Sequence, residues 1–452
     1  MYENLAIFGG PKAVTKDPGD MFTWPIITKE DEEAIIKILY SRSMSGTDIT
    51  TEFEQQFAKW QGSKYALGYC NGTMSLLAAM YACGVGFGDE IISPSLTYWA
   101  SVLPAYSLGA TPVFADIDPD SLCIAPGDIE RCVSEKTKAI IAVHYLGHPA
   151  DMDGIMKIAG KYGLKVIEDV SHAQGGLYKG KKLGIFGHVA AMSLMSGKSF
   201  ATGEAGMLTT DDSVIYEKAL ASAHYERYDD RITTPEINLY KGLPLLGMKG
   251  RVNQMCSAMG LVQLKYYDER TAEIRKAMNY FWDLLDGTPG LKAHRPDKKE
   301  ESNMAGWYSA RGLYKPEELG GLSVTRFCQA VQAEGAECYP GCNKPLHTHG
   351  LFQTADIYNQ GKPTRIANAS RDVRELDGLL PHSETANRRT YSIPWFKRYR
   401  PEIIKEYAEA FRKAAMNYKE LLKDDSGNSE NIGAGQWYFY RDPEKLEKPV
   451  KN

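Results

Sequence analysis

Five short apolar runs constrain the fold of this 452-residue chain more than any other feature. They are Glu90-Ile91-Ile92-Ser93, Pro112-Val113-Phe114-Ala115-Asp116, Ala139-Ile140-Ile141-Ala142-Val143, Lys165-Val166-Ile167-Glu168-Asp169 and Val189-Ala190-Ala191-Met192-Ser193. Each has the length of a buried strand, and amphipathic stretches such as Asp153–Ala159 lie between most of them. Strands apolar on both faces that alternate with helices predict an α/β fold, a mainly parallel sheet covered on both sides. Ligands of such sheets gather beyond the carboxyl ends of the strands, where Asp169 and Ser193 fall.

Composition narrows the class. A hydrophobic content of 43% supplies a substantial core, and a net charge of -4 offers no basic footprint for nucleic acid. No apolar run approaches the length of a membrane span. The first residues lack the charged and apolar regions of a secretory signal, so a cytoplasmic location is expected. The eight cysteines contain no Cys-x-x-Cys pair, which argues against a disulfide framework or a zinc site, and no metal is expected.

Composition shifts near residue 270. A helical pattern from about Ser257 to Leu285 leads into the charged loop Arg295–Glu301, and a second unit closes with a helix from about Pro401 to Leu422. The division expected is a large domain over 1–270, including an N-terminal arm, and a smaller α+β domain over 271–423. A tail over 424–452 carries the aromatic run Trp437-Tyr438-Phe439-Tyr440, which is expected to dock on the body or on a partner.

The chemistry gathers around Met192–Lys198 and Val166–Asp169. These segments deliver a hydroxyl, a lysine and a carboxylate to strand ends, with Ser196, Gly197 and Ser199 leaving room for a ring. One cofactor needs that set. Pyridoxal phosphate requires a lysine for its Schiff base, an aspartate against its pyridinium nitrogen and donors for its phosphate. Cys70-Asn71-Gly72-Thr73-Met74-Ser75, ahead of an apolar helix, reads as a backbone cradle for an anion, or more simply as a helix cap. Tyr98, in Pro94-Ser95-Leu96-Thr97-Tyr98, offers a plate for the ring, although aromatics after strands ordinarily just pack.

Taken in order, Asn71-Gly72-Thr73, Pro94–Tyr98, Glu168-Asp169-Val170-Ser171-His172-Ala173-Gln174-Gly175 and Ser193-x4-Lys198 resemble the DegT/StrS family. Its members are fold-type-I pyridoxal-phosphate-dependent aminotransferases of keto sugars and cyclitols. Pro149–Asp153, Thr202–Met207, Gly260–Leu264, Pro345-Leu346-His347 and Leu380–Glu384 extend the likeness from about Phe8 to about Leu422.

The resemblance implies that Lys198 forms the internal aldimine and shuttles the proton between Cα and C4′. Asp169 would hold the pyridinium proton, its charge favouring the protonated ring. Tyr98 would stack on the ring, and Gly72, Thr73 and Ser193 would bind the phosphate, with Met74 where the family usually has alanine. His172 would donate to the O3′ oxygen in place of the usual glutamine. The family motif Gly-x-Asn-x-Arg appears as Gly247-Met248-Lys249-Gly250-Arg251, so Lys249 would reach the phosphate held by the neighbouring subunit of a homodimer.

The same resemblance implies glutamate or glutamine as amino donor, a keto sugar or cyclitol as acceptor, and a ping-pong mechanism through pyridoxamine phosphate. His144, His148 and, more weakly, His347 are candidates to contact the acceptor; bonding to backbone groups would account for them equally well. Three other readings stand beside this one, among them a chain that binds the cofactor only to present its aromatic tail to a partner. Sugar dehydratases of the family place histidine where Lys198 stands, and non-catalytic regulators require a DNA-binding segment that this sequence does not display.

Overall fold

The computed structural model describes residues 4–224, 227, 231–430 and 432–433. The aromatic run of the tail lies outside the described residues. All five apolar runs form strands of one seven-stranded sheet. Its members are β1 (Tyr65–Tyr69), β2 (Glu90–Pro94), β3 (Thr111–Ala115), β4 (Thr137–Val143), β5 (Lys165–Asp169), β6 (Val189–Ser193) and β7 (Gly206–Thr210), in the order β1-β7-β6-β5-β4-β2-β3. Neighbours from β3 through β6 are parallel, while β7 runs antiparallel to both β6 and β1. Every residue of β2, β3 and β7 is buried, as strands covered on both faces must be.

Helix α1 (Gly72–Ala82) follows β1 directly, and its run Leu76–Met80 is entirely buried in the core that surrounds the sheet. Helix α2 (Met152–Tyr162) is capped by Asp151, whose side chain accepts from the Gly154 N–H, and ends at Gly163 in the left-handed conformation. A 31-residue helix, α3 (Gln254–Leu284), runs from the first core, which includes Tyr267, into a second that includes Ile274 and Phe281.

The second core lies against a three-stranded antiparallel sheet of β8 (Leu291–Ala293), β9 (Arg311–Tyr314) and β10 (Thr390–Ser392). It is filled by Phe327 of α4 (Val324–Ala333), Tyr391 of β10 and Phe411 of α5 (Pro401–Met416). Leu5 and Met21 of the N-terminal segment pack into this second core, whereas Cys342, Leu346, Phe352 and Leu380 pack back onto the first.

The terminal helix does not run unbroken to Leu422. It stops at Met416 because Asn417 leaves helical geometry (φ -98°, ψ 21°), its side-chain amide donating to the Lys413 carbonyl. Beyond it, Asp425 accepts from the Ser323 N–H (2.8 Å) and hydroxyl (2.6 Å), holding the start of the tail against α4.

Candidate active site

The ends of β5 and β6 and the beginning of α1 meet at one point. Asn71 caps α1 by accepting from the Met74 N–H at 2.8 Å, leaving the first turn at Gly72 and Thr73 to face outward from the helix end. Only glycine fits there. A Cβ on Gly72 would lie 2.7 Å from Ser193 Cβ, and one on Gly206 would lie 2.2 Å from the Asn71 carbonyl oxygen. The backbone of β6 is pinned in turn: the Ser193 N–H donates to Ser171 Oγ (2.9 Å), and its carbonyl accepts from Gln174 Nε2 (2.7 Å).

Asp169 ends β5 and is only 4% exposed. Ser101 Oγ donates to its Oδ2 at 2.7 Å and the Ser171 N–H donates to its Oδ1 at 3.1 Å, so the carboxylate is fixed in orientation. Thr97 Oγ1 extends the chain, 2.9 Å from Ser101 Oγ.

Lys198 is 8% exposed. Its carbonyl accepts from Trp24 Nε1 (2.8 Å), its N–H donates to the Met195 carbonyl (2.8 Å), and Nζ sits 4.1 Å from the centre of the Tyr308 ring. Burial brings its pKa down to about 8, against the opposing pull of Asp169. An appreciable fraction of this amine is therefore uncharged near neutral pH, as a nucleophilic lysine requires.

His172 completes the group. The Leu146 N–H donates to its Nδ1 at 3.2 Å, which places the ring proton on Nε2. Burial pushes the imidazole well below its ordinary pKa, so the ring is neutral. Leu146 holds this position with φ +55°, a left-handed conformation unusual for a residue with a branched side chain.

Gly72, Thr73, Tyr98, Asp169, His172, Ser193 and Lys198 all line a single cavity of about 330 Å³. The remaining candidates do not line it. Met74 is half-buried behind the cap, its N–H already taken by Asn71. Lys249 is exposed on a loop anchored next door, where the Gly250 carbonyl accepts from the Cys70 N–H at 2.8 Å.

The three other candidate histidines, His144, His148 and His347, are bonded within the protein. His144 Nδ1 accepts from the Ala150 N–H (3.1 Å), so its Nε2–H donates to Glu168 Oε2 (3.0 Å). His148 Nδ1–H donates to the Pro149 carbonyl (2.9 Å), and its ring lies 5.1 Å from that of His294; burial lowers its pKa to about 4. His347 Nδ1 lies 2.6 Å from the buried Ser95 Oγ. Sequence reasoning passed over Ser101, Ser171, Tyr308, Ser309 and Asn343, of which all five line the cavity.

The donor set fits pyridoxal phosphate: a desolvated lysine, a fixed carboxylate lining the same cavity, and a helix start that tolerates no Cβ. Comparison with known proteins agrees. The model of the DegT/DnrJ/EryC1/StrS aminotransferase family matches residues 25–412. An L-glutamine:2-deoxy-scyllo-inosose aminotransferase of Micromonospora echinospora is 30% identical over 417 residues, covering 88% of this chain and 95% of its own. An L-glutamine:scyllo-inosose aminotransferase of Streptomyces griseus is 29% identical over 449 residues, covering 94% of this chain and all (100%) of its own.

Among solved structures, the aminotransferase from Psychrobacter cryohalolentis superimposes with a TM-score of 0.76 at 28% identity, covering 88% of this chain and 99% of that one. The chain belongs to the DegT/DnrJ/EryC1/StrS aminotransferase family and is a pyridoxal-phosphate-dependent aminotransferase.

Proposed function

We propose that this enzyme moves an amino group from glutamine or glutamate to a keto sugar or cyclitol by a ping-pong mechanism. The observation that carries the reading is the pairing of Lys198 and Asp169 in one cavity, the amine desolvated and the carboxylate locked by Ser101 and Ser171. The names of the two relatives, both glutamine-dependent aminotransferases of an inosose, support the donor and the acceptor class.

Bound pyridoxal phosphate supplies an aldehyde that accepts the amino group and a ring that spreads the charge left at Cα. Every other task falls to the chain. Lys198 would hold the cofactor through Nζ, and its freed amine would be the group that moves the proton transamination requires. Asp169 would keep the ring nitrogen protonated by its fixed negative charge. Gly72, Thr73 and Ser193 would receive the phosphate on backbone N–H groups and a hydroxyl. Tyr98 would stack on the ring, and His172 would donate from Nε2 to its O3′ oxygen. A primary amine at position 198 can bond to the aldehyde, which an imidazole cannot do durably, and this favours transamination over dehydration.

The assembly proposed is a homodimer in which Lys249 of each subunit reaches the phosphate bound by the other, in the cytoplasm. Among the described residues no helix is long and apolar enough to cross a membrane. The chain is proposed to divide near residue 270, residues 1–270 carrying the cofactor site and 271–423 closing over it.

The test is the donor half-reaction. Stoichiometric L-glutamine or L-glutamate should convert the bound cofactor to pyridoxamine phosphate, and a keto sugar or inosose should convert it back. A cofactor spectrum indifferent to both amino acids would refute the reading.

A further inference from the structure

Strand ends and the start of α1 provide the cofactor side of the cavity, while Tyr308, Ser309 and Asn343 line it from later segments of the chain. These three are built into place. Ala305, Trp307 and Ser309 all take left-handed backbone conformations, with φ of +45°, +52° and +54°. Three non-glycine residues in that region within five positions are costly and persist only when their surroundings hold them.

Arg311 does the holding. Its Nη1 donates to the Ser309 and Ala310 carbonyls (3.0 and 3.1 Å), and its Nε donates to the Gly341 carbonyl (3.0 Å). One guanidinium therefore ties the strained strap to the segment that carries Asn343. Trp395 Nε1 secures the strap again by donating to the Gly306 carbonyl (2.8 Å).

Asn343 is oriented by a reciprocal pair of bonds. Its N–H donates to the Tyr145 phenol oxygen at 3.1 Å, so the single phenol proton goes to Asn343 Oδ1. With Oδ1 committed to a buried tyrosine, the NH2 group is what the amide has left for the cavity it lines.

Resting on the aminotransferase reading above, we propose that Asn343 and Ser309 recognise the acceptor. The amide NH2 and the serine hydroxyl would bind neighbouring oxygens of an uncharged polyhydroxylated ring ketone. Two neutral donors are enough for ring hydroxyls, and among the described lining residues the one lysine or arginine is Lys198, which is committed to the cofactor, so none of them adds a cation for a phosphate on the acceptor. A site built to hydrogen-bond a hydroxyl discriminates strongly against analogues lacking it, because its own donor is then left unpaired.

Two variants test this on the cofactor-loaded enzyme. Asn343→Asp keeps an acceptor for the Tyr145 proton but replaces the NH2 donor with a second acceptor. Ser309→Gly removes the hydroxyl at a backbone position glycine adopts without strain. The probes are L-glutamine for the donor half-reaction, scyllo-inosose, 2-deoxy-scyllo-inosose and a nucleoside-diphosphate 4-keto sugar for the acceptor half-reaction, and unreactive scyllo-inositol for calorimetric binding. Each variant should lower kcat/KM for scyllo-inosose roughly tenfold or more, through KM, with weaker scyllo-inositol binding, and should slow the glutamine half-reaction by a clearly smaller factor. Equal losses in both half-reactions, or no loss toward the inososes, would overturn the assignment. So would a wild-type enzyme that aminates only the nucleotide-linked sugar. A wild-type enzyme inert to glutamine and glutamate alike would instead bring down the aminotransferase reading itself.

Discussion

Replacing Gly72 by alanine should weaken cofactor binding far more than a single methyl group suggests. The new Cβ would sit 2.7 Å from Ser193 Cβ and 2.8 Å from both its Cα and its N. Carbon atoms in ordinary contact lie about 3.5–4.0 Å apart, so the overlap is about 1 Å. Neither side yields easily. The atoms met are backbone and Cβ atoms of β6, held by pairing to β7 and by Ser171 and Gln174. The start of α1 must therefore move away from Ser193, opening the cradle assigned to the phosphate.

Overpacking of this kind costs about 1–3 kcal/mol. Expressed as binding, that is roughly a 5- to 150-fold rise in the Kd for pyridoxal phosphate. Titrating the cofactor-free variant with pyridoxal phosphate by absorbance, alongside thermal unfolding of the same sample, measures both consequences. A variant that melts lower but binds with unchanged affinity would show that the strain does not fall on the phosphate cradle, and the reasoning would fail.

Asp169→Asn should fold, because an amide can keep the Ser171 and Ser101 contacts, yet lose about 10²-fold or more in transamination for want of the charge at the ring nitrogen; steady-state kinetics decide it. Capture of pyridoxal phosphate by the cofactor-free protein should accelerate with pH through an inflection near 8. Below it Lys198 is an ammonium without a lone pair, and an inflection near the ordinary lysine value would contradict its burial. In the Asp169→Asn protein that inflection should move lower, since the carboxylate is what raises it. For Lys249, co-expression of Lys249→Ala with Lys198→Ala chains gives a mixed dimer whose single Lys198-bearing site meets an intact Lys249 only if that residue acts across the interface. Tight cofactor retention at this site is expected, and weakened retention would sink the shared-site reading.

The sequence was most legible where burial leaves a continuous signature. The five strands β2 to β6 are largely apolar on both faces and read directly, while β1 and β7 did not, because Gly68 interrupts one and Thr209 and Thr210 end the other. The residues proposed to hold the cofactor were legible because most of them end strands or begin a helix, positions that local pattern identifies. The cavity residues from later in the chain were not. Tyr308 and Ser309 depend on left-handed backbone in residues other than glycine, and Asn343 arrives from a segment that folds back onto the first core. Nothing in local pattern announces either. His144 misled for a related reason: a histidine at a strand end looks available, but the Ala150 N–H and Glu168 claim both its nitrogens.

The covalent role proposed for Lys198 is open to the most direct test. Borohydride reduction of the holoenzyme, digestion and mass spectrometry of the peptides will locate the lysine bonded to the cofactor. The modification is expected on the peptide containing Lys198 at about one per subunit and to be absent from the Lys198→Ala protein. A cofactor fixed to any other lysine, or still fixed after that substitution, would contradict it.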